Sequence, residues 1–163
     1  MSSTVEREHW TRILDEISKS VSRQHYETWF RSEMAKDQVI VFEGAQGVLL
    51  AQSHGFQPHT TWTDCTFNNA LMLLHGYDGD IKKIGITRCF QTRHGAGPMV
   101  TEEPFLRMAA EHDHNKPNDW QQNFRTGWLD MVTLRYAIKV LGGIDFLAVT
   151  NLDRISKFPA YPR

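Results

Sequence analysis

Residues 39–47 read VIVFEGAQG. Four apolar residues, three of them β-branched, run into Glu43 and then into a turn that holds Gly44, Gln46 and Gly47. A continuous apolar run of this kind predicts a strand covered on both faces, the habit of a parallel sheet. The turn after it admits two readings. It is either a tight structural bend or a stretch of bare backbone that a ligand approaches closely.

Working outward, the downstream chain alternates helix-like and strand-like patterns. HGFQPHTTW (residues 54–62) reads as a loop, and residues 64–74 carry a helical apolar pattern with Thr63 or Asp64 as cap. IKKIGITRCF (81–90) predicts a second strand and RHGAGP (93–98) a loop. A weaker helix is expected over 105–111 and a polar loop over 112–123. GWLDMVTLRYAIKVL (127–141) predicts the strongest helix, with Trp128, Val132, Tyr136 and Val140 on one face. Gly142 and Gly143 stop it, and IDFLAVTNLD (144–153) predicts a third strand.

Upstream, Ser3 and Glu6 have capping-box spacing, and Trp10, Ile13, Leu14, Ile17 and Val21 recur at helical intervals. Ser22 reads as the cap of a second helix with Tyr26, Trp29 and Phe30 inside. The expected fold is α/β: a small parallel sheet with flanking helices over residues 37–163, preceded by an N-terminal helical hairpin over 1–36. In parallel sheets ligands sit beyond the carboxyl ends of the strands. The turns EGAQG, TRHGAGP and TNLD are therefore expected to gather on one edge.

Composition bounds the function. The 163 residues are 40% hydrophobic and 23% charged, with a formal net charge of -1. That balance gives no broad attraction to nucleic acid or an anionic membrane, so neither is an expected partner. The N-terminal MSSTVEREHW is too polar for a signal peptide, and no apolar run approaches a membrane span. Cys65 and Cys89 match no zinc or redox spacing and are expected to be reduced and half-buried in a cytoplasmic protein. His112, Asp113 and His114 are adjacent on a loop, where side chains seldom converge, so no metal site is expected there.

Four stretches, VFEGAQGVLL, TRHGAGPMVTE, RTGWLDMVTLRYA and AVTNLD, occur in an order and spacing that resemble adenylosuccinate synthetase over about residues 37–154. The resemblance is to the shorter members, among them phage relatives that act on a guanine nucleotide in making diaminopurine. It implies a ligase that joins aspartate to the purine C6 position of inosine monophosphate, using GTP to phosphorylate the departing oxygen. By the same resemblance, Gln46 and Gly47 would contact the nucleotide monophosphate, and Thr61 would lie near its phosphate. Thr61 is otherwise a turn or capping threonine. Asn151 and Asp153 stand where the family has TKLD for guanine, although asparagine lacks the long stem with which lysine covers a base. Asp153 is otherwise a solvated residue at a strand end. Arg93, Gly95 and Gly97 form a phosphate-loop-like turn with His94, itself equally readable as a surface histidine. Arg125 matches an aspartate-binding arginine.

By the resemblance, no counterpart of the family's glycine-rich phosphate cradle or catalytic base is expected here, because 38 residues precede Val39 and neither GxxxxGK nor GDxGKG occurs. No catalytic residue is therefore assigned. GTP or ATP with magnesium is expected only if a complementary catalytic half exists. Residues 10–31, WTRILDEISKSVSRQHYETWFR, resemble the opening helices of the N-terminal domain of the replication initiator DnaA, a self-association module. Three functions stay open: a catalytically incomplete purine-nucleotide-binding relative, an assembly module acting through the N-terminal helices, or one half of a split ligase. Weak binding of a purine monophosphate is expected, with either a homo-oligomer or a complementary chain, since an unpaired VIVF strand is an association hazard.

Overall fold

The computed structural model describes residues 2–20, 25–36, 38–107, 119 and 123–158. It divides into two compact units, Met1–Phe42 and Glu43–Arg163. The first holds α1 (Ser2–Ser20) and α2 (Tyr26–Met34). Helix α1 already includes Ser2, so Ser3 lies inside the first turn instead of capping it. Val21, Ser22 and Asp37 lie outside the described residues. In α2, Tyr26 stacks on Phe30 at 5.4 Å, and Phe30 meets Phe42 at 6.1 Å, which buries Phe30. The stripe of α1 stays in solvent, with Trp10 62% exposed and Leu14 and Ile17 exposed beside it.

The strand expected at VIVF is not formed. Residues 38–45 join no ladder, and Val39 and Val41 are 90% and 81% exposed. β-branched residues favour a pleated surface only when cross-strand neighbours are there to pack on them.

The second unit carries two small sheets. β1 (Ile84–Arg88) pairs with β4 (Phe146–Thr150) in parallel, Ile84 opposite Phe146 and Arg88 opposite Thr150. β2 (Phe90–His94) pairs antiparallel with β3 (Phe124–Trp128), Phe90 opposite Trp128 and His94 opposite Phe124. The parallel α/β core is thus present, but the expected second strand is split. β1 ends at Arg88, and Cys89, whose amide still bonds Thr150 O at 3.0 Å, passes the chain to the other sheet. RHGAGP correspondingly gives its first two residues, Arg93 and His94, to β2, and Trp128 belongs to β3 and not to a helix.

The core sits against the antiparallel pair. Phe90 and Phe124 are buried together, with Cys89 and Phe158 packed on them. Residues 101–103 run along β3: Trp128 N bonds Thr101 O at 2.9 Å and Glu103 N bonds Thr126 O at 2.8 Å. A β-carbon on Gly127 would strike the Thr101 carbonyl, so this close passage requires glycine. The short turn Pro104–Leu106 then inserts Leu106 at 0% exposure.

Two helices flank this core. α3 covers Asn68–Leu73, shorter than the 64–74 pattern, because Asp64 Oδ1 accepts from Thr66 N at 2.8 Å and holds a turn ahead of it. α4 covers Met131–Val140, capped by Asp130, whose Oδ1 accepts from Val132 N at 2.8 Å and Thr133 N at 3.2 Å. Gly142 and Gly143, at φ 68 and 96, end it as expected. Its expected inner face is covered only in part: Val132 is 76% exposed and Tyr136 is exposed too, whereas Val140 is half-buried together with Leu134, Ala137 and Ile138. Residues 108–111, and with them most of the expected helix at 105–111, lie outside the described residues, as do His112, Asp113 and His114.

Candidate functional site

Gln46 holds a left-handed backbone at φ 66. Non-glycine residues seldom adopt it, and where they do the strain commonly marks a functional position. A β-carbon on Gly44 or Gly47 would meet nothing in the chain within 4 Å, so internal packing explains neither glycine. The Gln46 amide oxygen accepts from Cys65 Sγ at 3.7 Å, a contact from a cysteine that sequence reading left in the core. After Gly47, the turn Val48–Leu50 is pinned by Leu50 N to Gly47 O at 2.8 Å. Thr61 N then returns to Leu50 O at 2.7 Å, which brings the end of the HGFQPHTTW loop back beside Gln46.

The result is a cleft of about 250 Å³ lined by Gln46, Leu50, His59, Thr60, Thr61, Arg93, His94 and Ala96. Two of the three expected turns therefore do meet, EGAQG and TRHGAGP. His59 and Thr60 join them, two residues the sequence reading placed only in a loop.

The cations of this region are heavily engaged. Arg93 Nε donates to Ala96 O at 2.8 Å and its Nη2 to His59 O at 3.0 Å. Burial, and then the positive charge of Arg125, lower its pKa from the ordinary arginine value. Arg125 forms a two-pronged ion pair with Glu102, Nε to Oε1 at 2.8 Å and Nη2 to Oε2. Its Nη1 donates to Gly95 O at 3.1 Å and Gly97 O at 2.7 Å. The hydrogen bonds to Arg125 hold the Glu102 carboxyl below the usual range, and those to Glu102 raise Arg125. Gly95 and Gly97 adopt φ 71 and 118, which glycine supplies without strain.

Asn151 and Asp153 lie elsewhere. Asn151 is left-handed at φ 60, and its carbonyl accepts from Cys89 Sγ at 3.1 Å. Asp153 pairs with Arg154 Nε at 3.0 Å and remains mostly in solvent. This group sits where β1 passes to β2, whereas Arg93 and His94 are at the far end of β2. One strand of that length separates the two places by roughly 13 Å. Burial raises the pKa of the Cys89 thiol, and both cysteines are free and half-buried. Among the described residues no group of three His, Cys, Asp or Glu side chains could hold a metal ion. Among them, too, no helix is long and apolar enough to cross a membrane.

The chain matches the protein-family model for adenylosuccinate synthetase over residues 2–161. That span takes in both N-terminal helices, which sequence reading had set apart under a second resemblance. The adenylosuccinate synthetase of Mycoplasma mycoides subsp. mycoides is 39% identical over 121 residues, 72% of this chain and 28% of that protein. The one from Chlorobium chlorochromatii is 30% identical over 158 residues, 94% of this chain and 35% of the relative. A solved structure, fully ligated adenylosuccinate synthetase from Plasmodium falciparum, superposes with a TM-score of 0.63 at 24% identity, covering 80% of this chain and 31% of the other. The chain thus spans about a third of the length of the relatives it matches.

Proposed function

The chain belongs to the adenylosuccinate synthetase family, and from that membership we propose that it supplies the purine-monophosphate face of such a ligase without being catalytically complete alone. The observation that carries this reading is the cleft where Gln46 and Thr61 share one space with Arg93 and His94. A glutamine amide both donates and accepts, and hydroxyls do likewise, which suits a phosphorylated sugar. The open backbone at Gly44 and Gly47 leaves room for a ribose or phosphate to approach.

In this reading Gln46 and Gly47 orient the nucleotide, and Thr60 and Thr61 offer hydroxyls to its phosphate. Asn151 and Asp153 form a separate base-contacting position for a second nucleotide, one that lacks the long lysine stem. Arg125 meets an aspartate substrate only by leaving Glu102, since its donors face that carboxylate and two carbonyls. A triphosphate with magnesium enters only with a complementary part that brings the phosphate cradle and the base. The free, half-buried cysteines suit a reducing compartment such as the cytoplasm.

Titration calorimetry with inosine, guanosine and deoxyguanosine monophosphates tests the reading. We expect saturable, weak binding that falls about tenfold in Gln46→Ala, the scale of one lost hydrogen-bonding group. A folded protein that binds none of the three overturns it. A second reading has its own observation: Trp10, Leu14 and Ile17 form an exposed apolar stripe on α1, which favours an assembly module. Self-association that disappears when residues 1–35 are deleted would select it.

A further inference from the structure

We propose that Arg93 is a positioning residue that holds the two walls of the cleft together, and is not itself a phosphate ligand; this rests on the reading of the cleft as the nucleotide site. One wall is the segment carrying Gln46, Leu50, His59, Thr60 and Thr61, and the other is the end of β2 with Arg93, His94 and Ala96. Among the described residues, the bond from Arg93 Nη2 to His59 O, 3.0 Å long, is the hydrogen bond that crosses between them.

The same guanidinium is fixed on its own side by Nε to Ala96 O at 2.8 Å. The turn is shaped around it: Gly97 sits at φ 118, and a β-carbon there would be driven into the Arg93 guanidinium. Behind the turn, Arg125 holds the Gly95 and Gly97 carbonyls, so the Ala96 carbonyl is presented by a braced loop. On the opposite wall, His59 is two residues from Thr61, whose amide is tied to Leu50 O. Leu50 N is in turn tied to Gly47 O, next to Gln46. A bond on the His59 carbonyl therefore restrains the position of both expected ligand groups, Thr61 and Gln46. Two donors in a fixed planar fork are needed to reach two carbonyls on different segments, which arginine provides and lysine does not.

The fork requirement separates positioning from charge. Arg93→Lys keeps the cation and loses the fork, while Arg93→Met loses both. Two readouts apply to the full chain: affinity for inosine monophosphate by calorimetry, and exchange of the Thr61 amide by hydrogen–deuterium NMR. Arg93→Lys is expected to weaken binding about tenfold or more, as Arg93→Met does, because both forfeit a charge-assisted bond. Thr61 exchange should quicken in both variants, and the salt dependence of binding should match the wild type. Gln46→Ala should weaken binding while leaving Thr61 exchange unchanged. Wild-type affinity and exchange in Arg93→Lys, with weaker binding in Arg93→Met alone, would make Arg93 a direct charge contact and overturn the proposal. Absence of nucleotide binding by the folded wild type would instead overturn the reading of the cleft and this role with it. Binding by the wild type tells those two failures apart.

Discussion

At the scale of single residues, the side chains singled out for chemistry are partly occupied with structure. Arg93 and Arg125 were expected to face ligands, yet their donors go to the carbonyls of His59, Gly95, Ala96 and Gly97 and to Glu102. A loop of glycines exposes carbonyls that cannot pair with one another, and neighbouring guanidinium groups satisfy them. The Glu102–Arg125 pair gives a pH dependence with a definite sign. Hydrogen bonds from Arg125 lower the folded pKa of Glu102, so its stabilising contribution is present above the unfolded value of ~4.3. It is lost as pH falls through the lowered folded value. Melting temperatures followed from pH 7 to 3 should fall less steeply on the acid side in Glu102→Gln, which should also start lower at neutral pH. Parallel curves for the two proteins would show that the pair contributes nothing. Gln46 teaches the complementary lesson: the glycines beside it drew attention, but the glutamine itself bears the left-handed backbone. Composition names the residues of a turn without saying which one takes the unusual φ.

At the scale of elements, signals confined to a few neighbouring residues were read with mixed success: Ser3 lies inside α1 and Asp64 holds a turn ahead of α3, so neither is the expected cap, whereas the glycine stop after α4 forms. Asp130 caps α4 through Val132 N and Thr133 N, a cap that sequence reading did not name, and Gly142 and Gly143 end it as read. Asp130→Ala should cost about 1 kcal/mol, the usual worth of such a cap, with a shift of the urea midpoint at unchanged slope. An unaltered midpoint would mean that another group replaces the cap. Elements that need distant partners were read less well. Apolar pattern alone does not separate a buried strand from an unpaired one, so VIVF was expected in a ladder it does not join. The run from Ile84 to His94 looked like one strand and a loop, and it is two strands of two sheets, because β3 captures its second half. Likewise Trp128 seemed helical by spacing and lies in β3, where Thr101 bonds it on the other side.

At the scale of the whole molecule, much apolar surface remains uncovered. In the parallel register Ile84 and Ile86 of β1 share a face with Phe146 of β4, and all three are exposed. Parallel sheets ordinarily have both faces and both edges covered. We therefore expect the chain to self-associate or to bind a complementary segment: sedimentation velocity should show concentration-dependent species, and Ile86→Lys should reduce them. A monodisperse wild-type monomer across the micromolar range would refute this. By itself the sequence determined the family, the α/β class, the stop of α4, and the candidates Gln46 and Thr61, because each is written in contiguous residues. Only the tertiary structure decided which strands pair, that EGAQG and TRHGAGP form one cleft while TNLD stands a strand's length away, and that Arg93 and Arg125 brace backbone. Those outcomes turn on partners such as Ile84 and Phe146 or Arg93 and His59, far apart in the chain, whose meeting depends on sheet pairing and carbonyl satisfaction that no local pattern encodes.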